Sequence, residues 1–444
     1  MADGSAGRPA LGWYGDDFTG ATDTLATLAR AGQRTLLFMD VPDAAQLARA
    51  GTLDAIGIAG VSRALAPAAM QAELEPVGRF FAAQCVAVLH YKVCSTFDSA
   101  AQSGNIATAI ATLRRHVDNG FVPIVGGQPN LGRYCVFGNL YARAGADGTV
   151  HRIDRHPTMS RHPVTPMHEA DLLRHLQTLG LPGGGALHYP DYQQDAAGLD
   201  AQLESLLASL READAGCQPV LLDVGAAPHL ASVGGLIARQ AARQRLLAVG
   251  ASSVAQAWLA HHGQLPGDES ADTLAPASGP VFVLAGSLSP VTARQIEAAR
   301  AYQRLPFDPL RWLREPADEQ ACLDRVLAAL SQGRHVLAHT GEGQADPGLT
   351  SEVARRTAAF VARVASAMAA RGQPLRRLGV AGGDTSSQAT RALGLWGLSY
   401  QASLGAGVTL CRTHSADPAL DGVELMLKGG QVGAIDLFDR LVGR

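Results

Sequence analysis

The chain has no surplus of basic charge. Its 37 lysines and arginines stand against 40 aspartates and glutamates, for a formal net charge of −3. A nucleic-acid partner, which needs a basic footprint, is not expected. Cysteine is scarce and scattered. Cys85, Cys94, Cys135, Cys217, Cys322 and Cys411 form no CxxC pair. That argues against a zinc site or a disulfide framework and fits a reducing cytoplasm. No apolar run is long enough to span a membrane. The opening MADGSAGRPA lacks the apolar core of an export signal and reads as a frayed tail. Common nucleotide motifs are missing too. GxxxxGK[ST] is absent, which excludes the usual P-loop NTPase, and so are the HRD and DFG patterns of protein kinases.

What is present is a large core. Of the 444 residues, 47% are hydrophobic and 17% charged, enough for two or three domains. Short β-branched apolar runs (TLLFMDV, AIGIAGV, AVLHYKV, PVLLDVG) alternate with helical stretches such as ATDTLATLARAG and NIATAIATLRRHV. This alternation predicts an α/β protein built on mostly parallel sheets with flanking helices. A polar segment rich in Gly, Pro, Ser and Asp then intervenes, and the pattern restarts with PVFVLAGS, HVLAHTG, RLGVAGGDT and VELMLKGG. The expectation is two domains, 1–260 and 280–444, joined by a linker over 261–279, with a ligand cleft between them.

The stretch LGWYGDDFTGATDTLATLARAG carries the sharpest signal. It reads as a strand to Tyr14, a turn over Gly15 to Phe18, and a helix ending near Arg30. In open α/β sheets ligands bind beyond the carboxyl ends of strands, where Asp16 and Asp17 would project. A helix cap accounts for one carboxylate but not for its neighbour. Arg63 follows the next strand but one, and its forked guanidinium suits a carboxylate or phosphate. Lys92, Ser95, Thr96 and Asp98 follow the strand AVLHY. The segment DRHPTMSRHPVTPM offers Arg155, His156, Arg161 and His162, but carboxylates at ligand spacing are lacking, so an anion grip is favoured over a metal.

The second half differs. Gly286-Ser287, Gly382-Gly383-Asp384-Thr385 and Gly429-Gly430 each leave a strand-like run and precede a helical one. Small residues let a backbone approach a ligand, and helix N-termini favour anions. Three such turns read as a phosphate cradle.

DDFTGATD, SR, KVCST…GNI, GSLSPVT, GGDTS and LKGGQVG occur in this order along nearly the whole chain. The set resembles the four-carbon acid sugar kinases. The resemblance implies an ATP-dependent kinase with an N-terminal acid-sugar domain and a C-terminal nucleotide domain. It places Asp16 and Asp17 at the catalytic end and gives Arg63, Lys92, Ser95 and Thr96 to the acid sugar. Ser287, Gly382, Gly383, Asp384, Thr385 and Gly430 would line the nucleotide site. The chain departs from the family at Cys94, where an aspartate is usual, and in GGQVG, where relatives have SGNFG. The YGDDFTG and KVCSTFD variants resemble the branch that includes 3-oxo-isoapionate kinases.

Phosphoryl transfer needs a positioned hydroxyl and neutralised charge. Asp17 is the expected base, with Asp16 its alternate, and Mg2+ would bridge the ATP phosphates with few protein ligands. A homodimer is left open. Two other readings compete. A dinucleotide-dependent oxidoreductase would need GxGxxG where GDDFTGA stands. A non-catalytic two-domain binding protein of the exported kind would need a signal segment.

Overall fold

The computed structural model describes residues 8–144, 148–162, 164–213, 216–266, 272–286, 289–340, 350–405, 407–430 and 432–443. Eighteen strands occur among them. In chain order they are β1 (Leu11–Gly15), β2 (Thr35–Phe38), β3 (Ala55–Ala59), β4 (Val88–Lys92), β5 (Phe121–Gly126), β6 (Arg133–Val136), β7 (Asn139–Ala144), β8 (Thr149–Arg152) and β9 (Gly185–Leu187). There follow β10 (Gln218–Asp223), β11 (Leu246–Gly250), β12 (Phe282–Ala285), β13 (Tyr302–Phe307), β14 (His335–Thr340), β15 (Arg377–Ala381), β16 (Leu395–Ser403), β17 (Val408–Ser415) and β18 (Glu424–Lys428). The chain separates into two compact units. Residues 1–36 and 43–268 form the first, and residues 37–42 and 269–444 form the second.

In the first unit β3, β1, β4, β11, β5, β10 and β9 lie side by side, each parallel to its neighbours. The strands are buried along their length: all five residues of β1, β3, β4 and β11 are inaccessible. That is why they read as continuous apolar runs rather than as alternating ones. β1 sits between β3 and β4. The chain therefore leaves β1 towards one side of the sheet and later returns to the other, so the carboxyl end of β1 is a topological switch point. The helix Phe18–Arg30 follows directly. Phe18, Ala21, Leu25 and Leu28 bury its core face, and Asp17 caps it, accepting from the Gly20 amide. A separate antiparallel meander, β6-β7-β8, was not foreseen in the sequence.

In the second unit β13, β14, β12, β15 and β18 are parallel neighbours. β17 and β16 then add antiparallel strands, and Leu37 and Phe38 pair antiparallel with β16. This sheet is mixed: a parallel core of five strands with an antiparallel extension. β12 lies between β14 and β15, which makes its carboxyl end a second switch point.

Candidate active site

Asp16 is the first residue beyond β1. Its amide donates to the Lys92 carbonyl at 2.9 Å and its carbonyl accepts from the Arg63 amide at 3.1 Å. The backbone thus ties together the ends of β1 and β4 and the turn after β3, and it brings four side chains together. Arg63 Nε and Nη2 fork onto Asp16 Oδ2 and Oδ1 at 3.1 and 2.7 Å, while Nη1 donates to Asp17 Oδ2 at 2.5 Å. Asp17 also accepts from the Gly20 amide at 2.6 Å and the Thr19 hydroxyl at 3.1 Å. Lys92 lies over Gly20. A Cβ on Gly20 would come within 2.2 Å of Lys92 Nζ and 2.5 Å of Asp17 Oδ1, so glycine is what lets the ammonium close on this turn.

The two aspartates differ electrostatically. Burial pushes the Asp16 carboxyl above the usual carboxylate range, Arg63 opposes the rise, and the charge of Asp17 adds to it. Burial acts on Asp17 in the same sense, but Arg63, Lys92, the Gly20 amide and Thr19 together outweigh it and hold Asp17 below the usual carboxylate range. Asp17 is also the more exposed, its side chain at 15% against 6% for Asp16. It is therefore an ionised carboxylate that stays partly exposed.

The loop after β4 is more inward than its sequence suggests. The Thr96 hydroxyl lies 2.9 Å from Cys94 Sγ and is also spent on Asp98. Asp98 in turn accepts from Thr165 at 3.1 Å, and Thr165 also bonds His162. Ser95 is half-buried. Burial, with the nearby Asp98 charge, pushes the Cys94 thiol up, so it is neutral at ordinary pH. His156 and His162 serve their own loop: their Nδ1 atoms accept from the amides of Thr158 and Met159, and of Thr165. Arg155 and Arg161 are exposed. No three His, Cys, Asp or Glu side chains among the described residues converge as a metal site.

In the second unit the glycine turns lie at the carboxyl ends of neighbouring strands. Gly286 donates to the Ala381 carbonyl and Gly382 to the Lys428 carbonyl, each at 2.9 Å. Gly382 has φ +125°, which favours glycine, and caps the helix Gly383–Ala392. A Cβ on Gly383 would meet nothing within 4 Å among the described residues, so no described side chain fills the space over that helix start. Thr385 is buried, and a Cβ on Gly286 would run into its hydroxyl. Ser287 lies outside the described residues, as does the side chain of Asp384.

The turn after β18 is held by its carbonyls. Thr292 donates to the Gly430 carbonyl at 3.0 Å, and Gln295 Nε2 reaches those of Val432, Gly433 and Ala434 at 2.9–3.1 Å. Both side chains come from the helix Pro290–Ala298. Lys428 was passed over in the sequence. It is fully buried, donates to Thr292 at 2.8 Å, and burial lowers it to about 7. Its signal was only its place, one residue ahead of two glycines.

A model of a sugar-binding N-terminal domain matches residues 11–258, and one of a nucleotide-binding C-terminal domain matches residues 282–438. The chain is 39% identical to a 3-oxo-isoapionate kinase of Paraburkholderia graminis, over 96% of this chain and 93% of that protein. It is 32% identical to a 3-oxo-tetronate kinase of Cupriavidus necator, over 98% and 96%. Among solved structures it is similar to one described as a putative tRNA synthase from Salmonella typhimurium LT2. That match has a TM-score of 0.78 and 26% identity over 97% of this chain and 98% of the other. With two domain models covering most of its length and relatives aligned nearly end to end, the chain belongs to the four-carbon acid sugar kinase family.

Proposed function

We propose that the protein transfers the γ-phosphoryl group of ATP to a hydroxyl of a small acid sugar, of the 3-oxo-isoapionate or 3-oxo-tetronate type. The relatives named above support that substrate class, and the higher identity favours the branched, isoapionate-like acid. One observation carries the reading at the level of chemistry: Asp16, Asp17, Arg63 and Lys92 meet at the switch point of the first unit.

Asp17 holds the acceptor hydroxyl and takes its proton as the bond to phosphorus forms. Low basicity is adequate here, because transfer to a hydroxyl is loose and asks more of position than of proton abstraction. Asp16 is the alternate base and fixes Arg63. Three Arg63 N–H groups are committed to the aspartates, which leaves one on each terminal nitrogen for a ligand. Lys92 supplies positive charge above Gly20. Ser95 and Thr96 complete the substrate side of the proposal.

The nucleotide falls to the second unit. The open space over Gly383, beside the amides that begin the helix Gly383–Ala392, fits a phosphate chain, and Ser287, Gly382, Asp384, Thr385 and Gly430 belong to the same proposed site. Mg2+ would neutralise phosphate charge. It needs one or two carboxylates at most when phosphates and water supply the rest, so the lack of a described ligand cluster is compatible with it. A cleft that brings both ligands together is part of the proposal, since in-line transfer demands it. So is a cytoplasmic location, which six free cysteines support. Among the described residues no helix is long and apolar enough to cross a membrane.

A thermal-shift experiment tests the nucleotide half. ADP with magnesium at about 100 times its Kd should stabilise the protein by about 2.7 kcal/mol, and NAD should not. Stabilisation by NAD alone would favour the oxidoreductase reading.

A further inference from the structure

Arg133 stands at the start of β6, where the chain has just left the carboxyl end of β5. Two backbone hydrogen bonds join it to Gln128, whose side chain reaches Asp23 at 3.1 Å. Asp23 lies on the helix that Asp17 caps. Arg133 is also within electrostatic reach of Cys94, in the loop after β4. The meander therefore delivers a guanidinium to the strand edge that carries the candidate active site.

No described carboxylate pairs with it. Nη1 is anchored on main-chain oxygens: Leu131 at 2.8 Å, Arg143 at 3.4 Å and Gly132 at 3.5 Å. Nε is buried without a hydrogen-bond partner among the described residues. One edge of the guanidinium is thus fixed, and among the described residues no hydrogen bond engages the Nε/Nη2 edge, which is the edge that grips a carboxylate with two parallel bonds. The neighbouring Cys94 thiol is neutral, so it does not compensate the charge. Gln128 Oε1 is a second buried atom without a partner among the described residues, and it can only accept. A buried donor nitrogen and a buried acceptor on bridge-paired residues call for a ligand with both an anion and a hydroxyl.

We propose that Arg133 binds the carboxylate of the acid sugar through its Nε/Nη2 edge, with Gln128 accepting from a sugar hydroxyl. The assignment rests on the acid-sugar reading above and refines it. Arg63 spends three N–H groups on Asp16 and Asp17 and offers the sugar only the two that remain, while Arg133 selects acids over neutral polyols.

The test compares the parent, Arg133→Met and Arg133→Lys in an ADP-release assay. The probes are 3-oxo-isoapionate, threonate and erythronate against the neutral polyols threitol and erythritol. The parent should prefer the acids. Arg133→Met should raise the KM for the acid roughly 30-fold or more, leave the KM for ATP within about 2-fold, and lose the preference for acid over polyol. Arg133→Lys keeps the charge without the fork and should fall between them. A folded Arg133→Met with unchanged acid KM overturns the proposal. Should that variant fail to fold because the meander loses its anchor, Arg133→Lys decides, and an unchanged acid KM there overturns it equally. If the parent itself turns over none of the acids, the acid-sugar reading falls and takes this assignment with it, an outcome visible without any variant.

Discussion

At the scale of single residues, Asp17 does two jobs with one carboxylate. Oδ1 accepts from the Gly20 amide and so starts a helix, while Oδ2 accepts from Arg63 and Thr19 and, in the proposed mechanism, takes the proton of the acceptor hydroxyl. Asp17→Asn keeps an oxygen for the cap but removes the charge and the proton acceptor. Turnover should fall by about 10²–10⁴-fold. Stability should fall too, by about 1–3 kcal/mol, because Arg63 loses one of its charged acceptors. Asp16→Asn should leave more activity, since Asp16 is nearly buried behind the Arg63 fork. Both variants measured side by side at saturating acid sugar decide the roles. A dead Asp16→Asn beside a near-normal Asp17→Asn would exchange them, and normal turnover in both would make the pair structural.

At the scale of elements, both halves use the same device: a parallel strand ends, a turn containing glycine follows, and a helix begins, capped by Asp17 in the first unit and by Gly382, without a side-chain cap, in the second. Gly383 offers the cleanest test of it. A Cβ there meets no atom of the described residues within 4 Å, so Gly383→Val should fold with a melting temperature close to the parent's. It would nevertheless occupy the approach to the first amides of the helix, and calorimetry should find ATP affinity reduced at least tenfold, about 1.4 kcal/mol. Unchanged affinity in the folded variant would remove this turn from the nucleotide site. These turns were legible in the sequence because buried parallel strands are short apolar runs and glycine punctuates them. The helix Phe18–Arg30 and the convergence of Asp16, Arg63 and Lys92 were legible for the same reason. The meander was not. β6 to β8 are short, half-exposed and interrupted by arginines, so neither a period of two nor an apolar run marks them, and Arg133 was hidden with them. β16 and β17 escaped likewise, since LWGLSYQAS carries a glycine and two register shifts. The inward turn of Thr96 depends on Asp98, a contact that residue spacing alone does not predict.

At the scale of the whole molecule, one unit carries paired carboxylates with cations and the other carries glycine turns beside a buried lysine. The central claim is that the two sets serve a single transfer from ATP to an acid sugar. The most direct measurement incubates the full chain with ATP, magnesium and, separately, 3-oxo-isoapionate, 3-oxo-tetronates, threonate and erythronate. ADP release and the appearance of a sugar phosphate by phosphorus NMR are followed together. The account predicts stoichiometric ADP and a new phosphomonoester with at least one acid, and with 3-oxo-isoapionate above the four-carbon acids in kcat/KM. ADP released at the same rate with and without every acid, and no phosphomonoester formed, would contradict it.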